Sequence, residues 1–370
     1  MRIGLNAYLC APEANYRRTG IHRYIHELAV HLARLQDGPD LLAYVAGEIR
    51  EFGDCGIDQR VAPIPVRNPA ARIGFELTGL PVLTARDRLD LFHGPVNTIP
   101  FGLRMPALVT VHDLAFLYYP EHITRGRYRY LRTMIGSSVR RARMILTPSE
   151  ATRQDVVERF RIDPDKVRVT PLGVDGRFRQ AAGEPELARF GLERPFVLFV
   201  GTVEPRKNLA RLIAASDRLQ EVIEHDLVLA GPDGWLMVEI RAALEGYRHG
   251  DRLRRLGFVD DRDLADLYAG AAVVAIPSLY EGFGLPVLEA MSAGAAVLTA
   301  NVSSLPEVAG EAAELVDPVS VDSIAAGLER VLTDTGRRDE LRRLGPIRAS
   351  TFTWERTASA TLDAYLEAAK

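Results

Sequence analysis

Cysteine is nearly absent: Cys10 and Cys55 are the only two in 370 residues. They give neither a metal-ligand spacing nor a disulfide framework, which predicts a reducing, cytosolic setting. Long apolar runs are missing too. No stretch approaches the roughly 20 apolar residues of a spanning helix. The start, Met1-Arg2-Ile3-Gly4-Leu5-Asn6, goes directly into a strand pattern without a signal-peptide apolar region, so the expected location is cytoplasmic. There is no excess of one charge. The net charge of −3 excludes a polyanion binder as a whole, so no nucleic acid is expected and any basic surface must be local. Short internal repeats and low-complexity ends are also lacking. So is the G-x-G-x-x-G fingerprint of a nicotinamide dehydrogenase: it follows neither the Arg2 strand nor the Phe196 strand, and Gly282-Phe283-Gly284 continues into Pro286.

What is present suits two domains. A chain of 370 residues with 47% hydrophobic content is long for one core and normal for a globular protein. Strand-like runs alternate with helical patterns in both halves, which gives a doubly wound α/β reading. In the first half the strands are expected at Arg2–Asn6, Leu41–Val45, Asp90–His93, Ala107–Val111, Met144–Thr147 and Val167–Thr170, with residues 46–88 resisting assignment. The second opens with Phe196–Gly201 and continues through Leu227–Gly231, Ala271–Ile276, Ala296–Asn301 and Leu315–Asp317. The boundary falls near residue 176. Spacing at Trp354, Ala358, Leu362 and Tyr365 predicts a last amphipathic helix.

The most informative stretch runs from Pro277 to Ala293: Pro-Ser-Leu-Tyr-Glu-Gly-Phe-Gly-Leu-Pro-Val-Leu-Glu-Ala-Met-Ser-Ala. It follows a buried strand, offers two glycines, and places Pro286 where a helix begins. Free backbone N–H groups and the positive helix end there suit an anion such as a diphosphate. Glu281 and Glu289 frame the loop. Carboxylates accept hydrogen bonds from hydroxyls, so a sugar and a ribose are their natural partners.

This pattern resembles the E-x7-E motif of retaining glycosyltransferases with the GT-B fold, most closely glycosyltransferase family 4. The resemblance implies two Rossmann-like domains facing a cleft. Residues 1–175 would bind the acceptor, with 354–370 packing back on them, and 176–353 would bind the nucleotide sugar. On this resemblance Glu281 meets donor hydroxyls and Glu289 the ribose, while Gly282, Phe283, Gly284 and Leu285 lie on the donor. Lys207, in Glu204-Pro205-Arg206-Lys207-Asn208, matches the lysine at the donor diphosphate. Many members carry an arginine directly after the strand glycine; Thr202 stands there, and Arg206 is the candidate replacement. Two cations at a helix start are otherwise unfavourable unless an anion is present. Gly20 matches one of two glycines beside the donor phosphates, Thr19 replacing the other or capping the helix. His112, in His112-Asp113-Leu114, matches the histidine at the donor sugar, and His93 could serve the acceptor, although either could be structural. Phe258 and Val259 match the segment against the nucleobase. The implied chemistry is transfer of a hexose with retention, without a metal or other cofactor, to a glycan or lipid-linked acceptor. The runs at Glu204, Ser278 and Ser303-Ser304-Leu305-Pro306-Glu307 resemble a mannosyltransferase branch of surface polysaccharide synthesis. That implies GDP-mannose, with UDP-sugars still open.

Several readings compete. Asp261-Arg262-Asp263 has the letters of a GT-A metal site, but it precedes a helix at Leu264–Ala269 and is better read as capping. A non-catalytic nucleotide-sugar binder and a sugar-nucleotide epimerase share the fold. Finally, residues 125–143 read as a helix with Arg125, Arg129, Arg132, Arg140 and Arg143 in one stripe beside Tyr128, Leu131, Ile135, Val139 and Ala142. That is either an interfacial membrane helix, giving peripheral contact at the inner face of the cell membrane, or a helix packed on its own sheet with arginines in solvent.

Overall fold

The computed structural model describes residues 1–10, 20–66, 68–179, 185–235 and 237–370. Its contacts divide the chain into two compact units: Met1–Gly173 with Thr353–Lys370, and Val174–Phe352.

The first unit holds β1 (Arg2–Asn6), β2 (Asp40–Val45), β3 (Asp58–Val61), β4 (Leu91–Gly94), β5 (Ala107–Thr110), β6 (Met144–Thr147) and β7 (Val167–Val169). They form one parallel sheet in the order β3-β2-β1-β4-β5-β6-β7. Ile3, Leu5, Leu91, Phe92, Leu108 and Val109 are fully buried, as expected where helices cover both faces of a parallel sheet. The winding reverses between β1 and β4, which opens a crevice beyond their carboxyl ends. The last helix, Trp354–Ala368, belongs to this unit and is capped by Thr353. Gly173 is what lets it dock. A Cβ there would lie 2.3 Å from the backbone nitrogen of Trp354.

The second unit holds β8 (Phe196–Val200), β9 (Asp226–Ala230), β10 (Leu253–Gly257), β11 (Val273–Ile276), β12 (Val297–Ala300) and β13 (Glu314–Val316). The order is β10-β9-β8-β11-β12-β13, again all parallel. All five side chains of β8 are buried. Against this sheet the helix Leu209–Leu219 turns Leu209, Leu212, Ile213, Ser216 and Leu219 inward at three- and four-residue spacing. Each large aliphatic side chain so buried contributes about 1.5–3 kcal/mol. Here the winding reverses between β8 and β11.

The structure corrects several expectations. Residues 46–88 contain the edge strand β3 and the helix Pro69–Thr84, started by Asn68 and carrying Pro81 inside it. Helix Asp261–Gly270 begins earlier than the pattern suggested. Its cap is Asp260, whose carboxylate accepts from the amides of Arg262 (2.9 Å) and Asp263 (3.1 Å). Asp261 and Asp263 pair instead with Arg177 and Arg189, at 2.9 Å each. In the helix Arg125–Arg141, Ile135 and Val139 are buried in the core of the first unit, and Tyr128 and Leu131 pack on the same cluster. Its apolar stripe is therefore used inside the protein and its arginines face outward, an arrangement that both readings of this helix allow. Among the described residues no helix is long and apolar enough to cross a membrane.

Candidate active site

In the second unit the chemistry gathers at the two strands flanking the reversal. After β8 the chain passes Gly201 and makes a 3-10 turn at Pro205–Lys207, then Asn208 takes a left-handed conformation (φ 62°) before the helix Leu209–Leu219. The Asn208 side-chain amide donates to the carbonyls of Pro277 (2.9 Å) and Pro318 (2.6 Å), and the Leu279 amide donates to the Arg206 carbonyl (2.9 Å). These bonds fix the β8 turn against the β11 loop.

That loop carries Glu281, which is 7% exposed. Its Oε1 accepts from Lys207 Nζ (2.6 Å) and Ser278 Oγ (2.8 Å), and its Oε2 from Arg206 Nη1 (2.9 Å). Arg206 also donates from Nη1 to the Tyr280 carbonyl (2.8 Å) and from Nη2 to Glu204 (2.7 Å), itself buried. Burial pushes the Glu281 pKa up, but Lys207 and Arg206 outweigh it and hold the carboxyl at about 2. The anion that makes two cations acceptable at this turn is therefore the protein's own. The structure brings Lys207, Arg206 and Glu281 together, with both Glu281 oxygens engaged by these cations and Ser278.

The loop backbone is held from β12. The Glu281 amide donates to Ser303 Oγ (3.1 Å), and Ser304 Oγ donates to the carbonyls of Glu281 and Phe283, both at 2.9 Å. Gly284, at φ 104°, starts the helix Leu285–Ser292, with Leu285 first and Pro286 second. A Cβ on Gly284 would sit 2.8 Å from Leu305 Cδ2, so conformation and space both call for glycine. Glu289 lies inside that helix, buried, and accepts from the Tyr268 hydroxyl (3.0 Å). Phe258 stands half exposed just past β10, followed by Val259.

The first unit places its residues at the ends of β4 and β5. His112 follows β5. Its Nε2 bonds the Pro95 carbonyl (2.8 Å), its amide donates to Asn97 Oδ1 (2.9 Å), and Tyr24 stands edge-on to its ring with centroids 4.6 Å apart. Burial lowers its pKa against the opposing pull of the Pro95 carbonyl and Asp113, so the ring is neutral at neutral pH. A carbonyl only accepts, so the proton is on Nε2 and Nδ1 is left as an acceptor. His93 is different. It is 0% exposed, with Nδ1 bonded to Tyr365 Oη (2.7 Å) and Nε2 to Thr110 Oγ1 (2.8 Å). Burial, then His112, lowers its pKa to about 3. Both nitrogens are used inside the protein, which corrects its assignment to an acceptor. Gly20 is the exposed first residue of the helix Gly20–Arg34, and Thr19 lies outside the described residues.

Sequence reasoning missed Glu204, Ser278, Ser303, Ser304 and Tyr268 as partners of Arg206, Glu281 and Glu289, and Tyr24, Thr110 and Tyr365 beside the histidines. The first four lay within motif runs already singled out. The others carry no local signal, since their partners are distant in sequence.

Comparison with known proteins bears on this arrangement. The family described as "Glycosyltransferase Family 4" matches residues 18–177, and the one described as "Glycosyl transferases group 1" matches residues 186–346. The chain is 36% identical over 293 residues to the O-antigen chain mannosyltransferase B of Escherichia coli, spanning 76% of this chain and 75% of that protein. It is 34% identical over 240 residues to the MMP alpha-(1->4)-mannosyltransferase of Mycolicibacterium hassiacum, spanning 60% of this chain and 54% of that protein. In fold it is similar to sucrose-phosphate synthase from Thermosynechococcus elongatus, with a TM-score of 0.80 at 20% identity over 99% of this chain and 98% of that one.

Proposed function

The chain belongs to the family 4 glycosyltransferases and has the GT-B fold, and on that premise we propose that it moves mannose from GDP-mannose to a hydroxyl of a glycan or lipid-linked acceptor, with retention at the anomeric carbon. The observation that carries this reading is the ion cluster of Glu281, Lys207 and Arg206 at the winding reversal, beside the amides that open the helix Leu285–Ser292. A diphosphate arriving there competes for Lys207 and Arg206. As they turn to it, Glu281 is freed to accept from the sugar hydroxyls, while Glu289 and Tyr268 serve the ribose and Phe258 the base.

The acceptor hydroxyl attacks from the face the leaving group departs, and the diphosphate takes its proton. Lys207, Arg206 and the amides of Gly282, Phe283 and Gly284 stabilise the charge that builds on the leaving oxygen. For His112 the proposed partner is a sugar hydroxyl, received at Nδ1. No metal enters this scheme. The mannosyl assignment draws on the names of the two relatives given above, and the proposed setting is surface polysaccharide synthesis in the cytoplasm. The proposed peripheral contact with an anionic membrane surface uses the outward arginines of residues 125–143.

Two measurements test the reading. A thermal-shift panel should show stabilisation by GDP; stabilisation by UDP and not GDP refutes the donor. NMR of the product should show the donor's anomeric configuration, and an inverted product refutes the mechanism.

A further inference from the structure

The helix Arg125–Arg141 and the carboxyl end of the helix Glu150–Phe160 wall a groove of about 810 Å³ in the first unit. Arg125, Arg129, Arg132 and Arg140 come from the first helix, Arg159 and Arg161 from the end of the second. No carboxylate is among the described lining residues. A chain of net charge −3 thus gathers six guanidinium groups at one place.

Their surroundings leave most of them available. Arg159 lies 4.5 Å over the Tyr118 ring and near Asp155. Among the described residues, Arg125, Arg129, Arg132, Arg140 and Arg161 have no ion-pair partner. Two backbone features build the groove. Gly136 falls in the arginine stripe, and a Cβ there would lie 3.1 Å from both Arg140 Nη2 and Phe160 Cε1. Its missing side chain admits them. Arg161 caps its helix in the left-handed conformation, φ 55° and ψ 51°. A glycine would be cheaper there by about 1–2 kcal/mol, and the arginine adds a sixth guanidinium.

A guanidinium fork matches phosphoryl oxygens two at a time. Several forks around a space of ligand size fit a compact group with many anionic oxygens better than they fit a single carboxylate. We infer that this groove is an anion site for a diphosphate group. The anion site itself does not rest on the transferase reading above.

The test titrates inorganic pyrophosphate into the full chain by calorimetry. It compares wild type, Lys207→Ala, and a variant with Arg129→Gln, Arg132→Gln, Arg140→Gln and Arg161→Gln. Circular dichroism checks folding, and an Arg132→Gln, Arg140→Gln pair stands in if the fourfold variant unfolds. Loss of several charge-assisted bonds should weaken pyrophosphate at least about tenfold in the arginine variant, with Lys207→Ala retaining it. Loss in Lys207→Ala alone, or no binding by wild type, overturns the site. Flotation with vesicles of phosphatidylglycerol and phosphatidylcholine separates the sources: arginine-dependent flotation without pyrophosphate binding also overturns it, in favour of a diffuse membrane contact. If pyrophosphate follows the arginines while no donor is ever turned over, the site stands and the transferase reading fails.

Discussion

Tyr365, in the last helix, and His93, in the middle of the first unit's sheet, share a hydrogen bond of 2.7 Å across 272 positions of sequence. The bond is one link in a buried line. Thr110 Oγ1 bonds both His93 Nε2 and the Tyr24 hydroxyl at 2.8 Å each, and the Tyr24 ring abuts His112. The last helix is thereby tied, through groups with no water to fall back on, to the histidine at the end of β5.

Tyr365→Phe should therefore destabilise the protein by about 1–3 kcal/mol, the usual cost of leaving a buried polar group unpaired. Urea unfolding measures it. An unchanged midpoint at unchanged slope would mean that the bond contributes nothing.

Lys207→Ala and Glu281→Ala should each lower turnover by about a hundredfold or more, the usual cost of removing a group that stabilises developing charge. Their effects should not add in the double variant, because each removes the other's partner. Additive losses would show that the two act separately.

Glu204→Gln probes positioning. Glu204 accepts from Arg206 Nη2 at 2.7 Å, the guanidinium nitrogen that Glu281 does not use. The amide keeps the shape and removes the charge that orients the guanidinium, so the donor KM should rise several-fold with kcat nearly unchanged. A fall in kcat at constant KM contradicts a positioning role.

Acid should weaken the fold in two stages. His93 has a folded pKa of about 3, below its ordinary 6.5, so the unfolded chain takes up the proton first and stability falls as pH drops from 6.5 toward 3. Glu281, at about 2 against an ordinary 4.5, loses its contribution between pH 4.5 and 2. Denaturant midpoints across this range should fall steadily for wild type. In Glu281→Gln the part below pH 4.5 should be shallower, and an equal slope would show that Glu281 is not held ionised by its neighbours.

Gly284→Ala should damage the donor loop more than its size suggests. The residue sits at φ 104° with Leu305 Cδ2 2.8 Å from the added methyl. Donor binding by thermal shift should weaken strongly, while Gly282→Ala, with no positive φ, should weaken it less. Equal effects would separate the loop geometry from donor binding.

How much of this was legible in the sequence depended on the range of the interactions. β8 and β11 showed themselves because buried parallel strands are continuously apolar. β3 and β10 did not. Their sequences, Asp58-Gln59-Arg60-Val61 and Leu253-Arg254-Arg255-Leu256-Gly257, are edge strands whose outward side chains are polar. The Pro69–Thr84 helix was hidden by Pro81 and by apolar residues spread around its circumference. In the site, Glu281, Lys207 and Gly284 were visible because the glycines and the helix start are local. The pairing of Lys207 with Glu281 was not, since 74 positions separate them. The role given to His93 failed for the same reason: its saturating partner Tyr365 is far along the chain.

On the proposed donor reading, the mutual pairing of Glu281 with Lys207 and Arg206 acts as a coincidence gate. A free phosphate meets cations already engaged, and a free sugar meets a carboxylate already engaged. Only a molecule that presents phosphoryl oxygens to one half and hydroxyls to the other satisfies everything it displaces. On that reading, discrimination against the abundant simple anions of a cell is set before any substrate is recognised in detail, by an ion pair that half a ligand does not open.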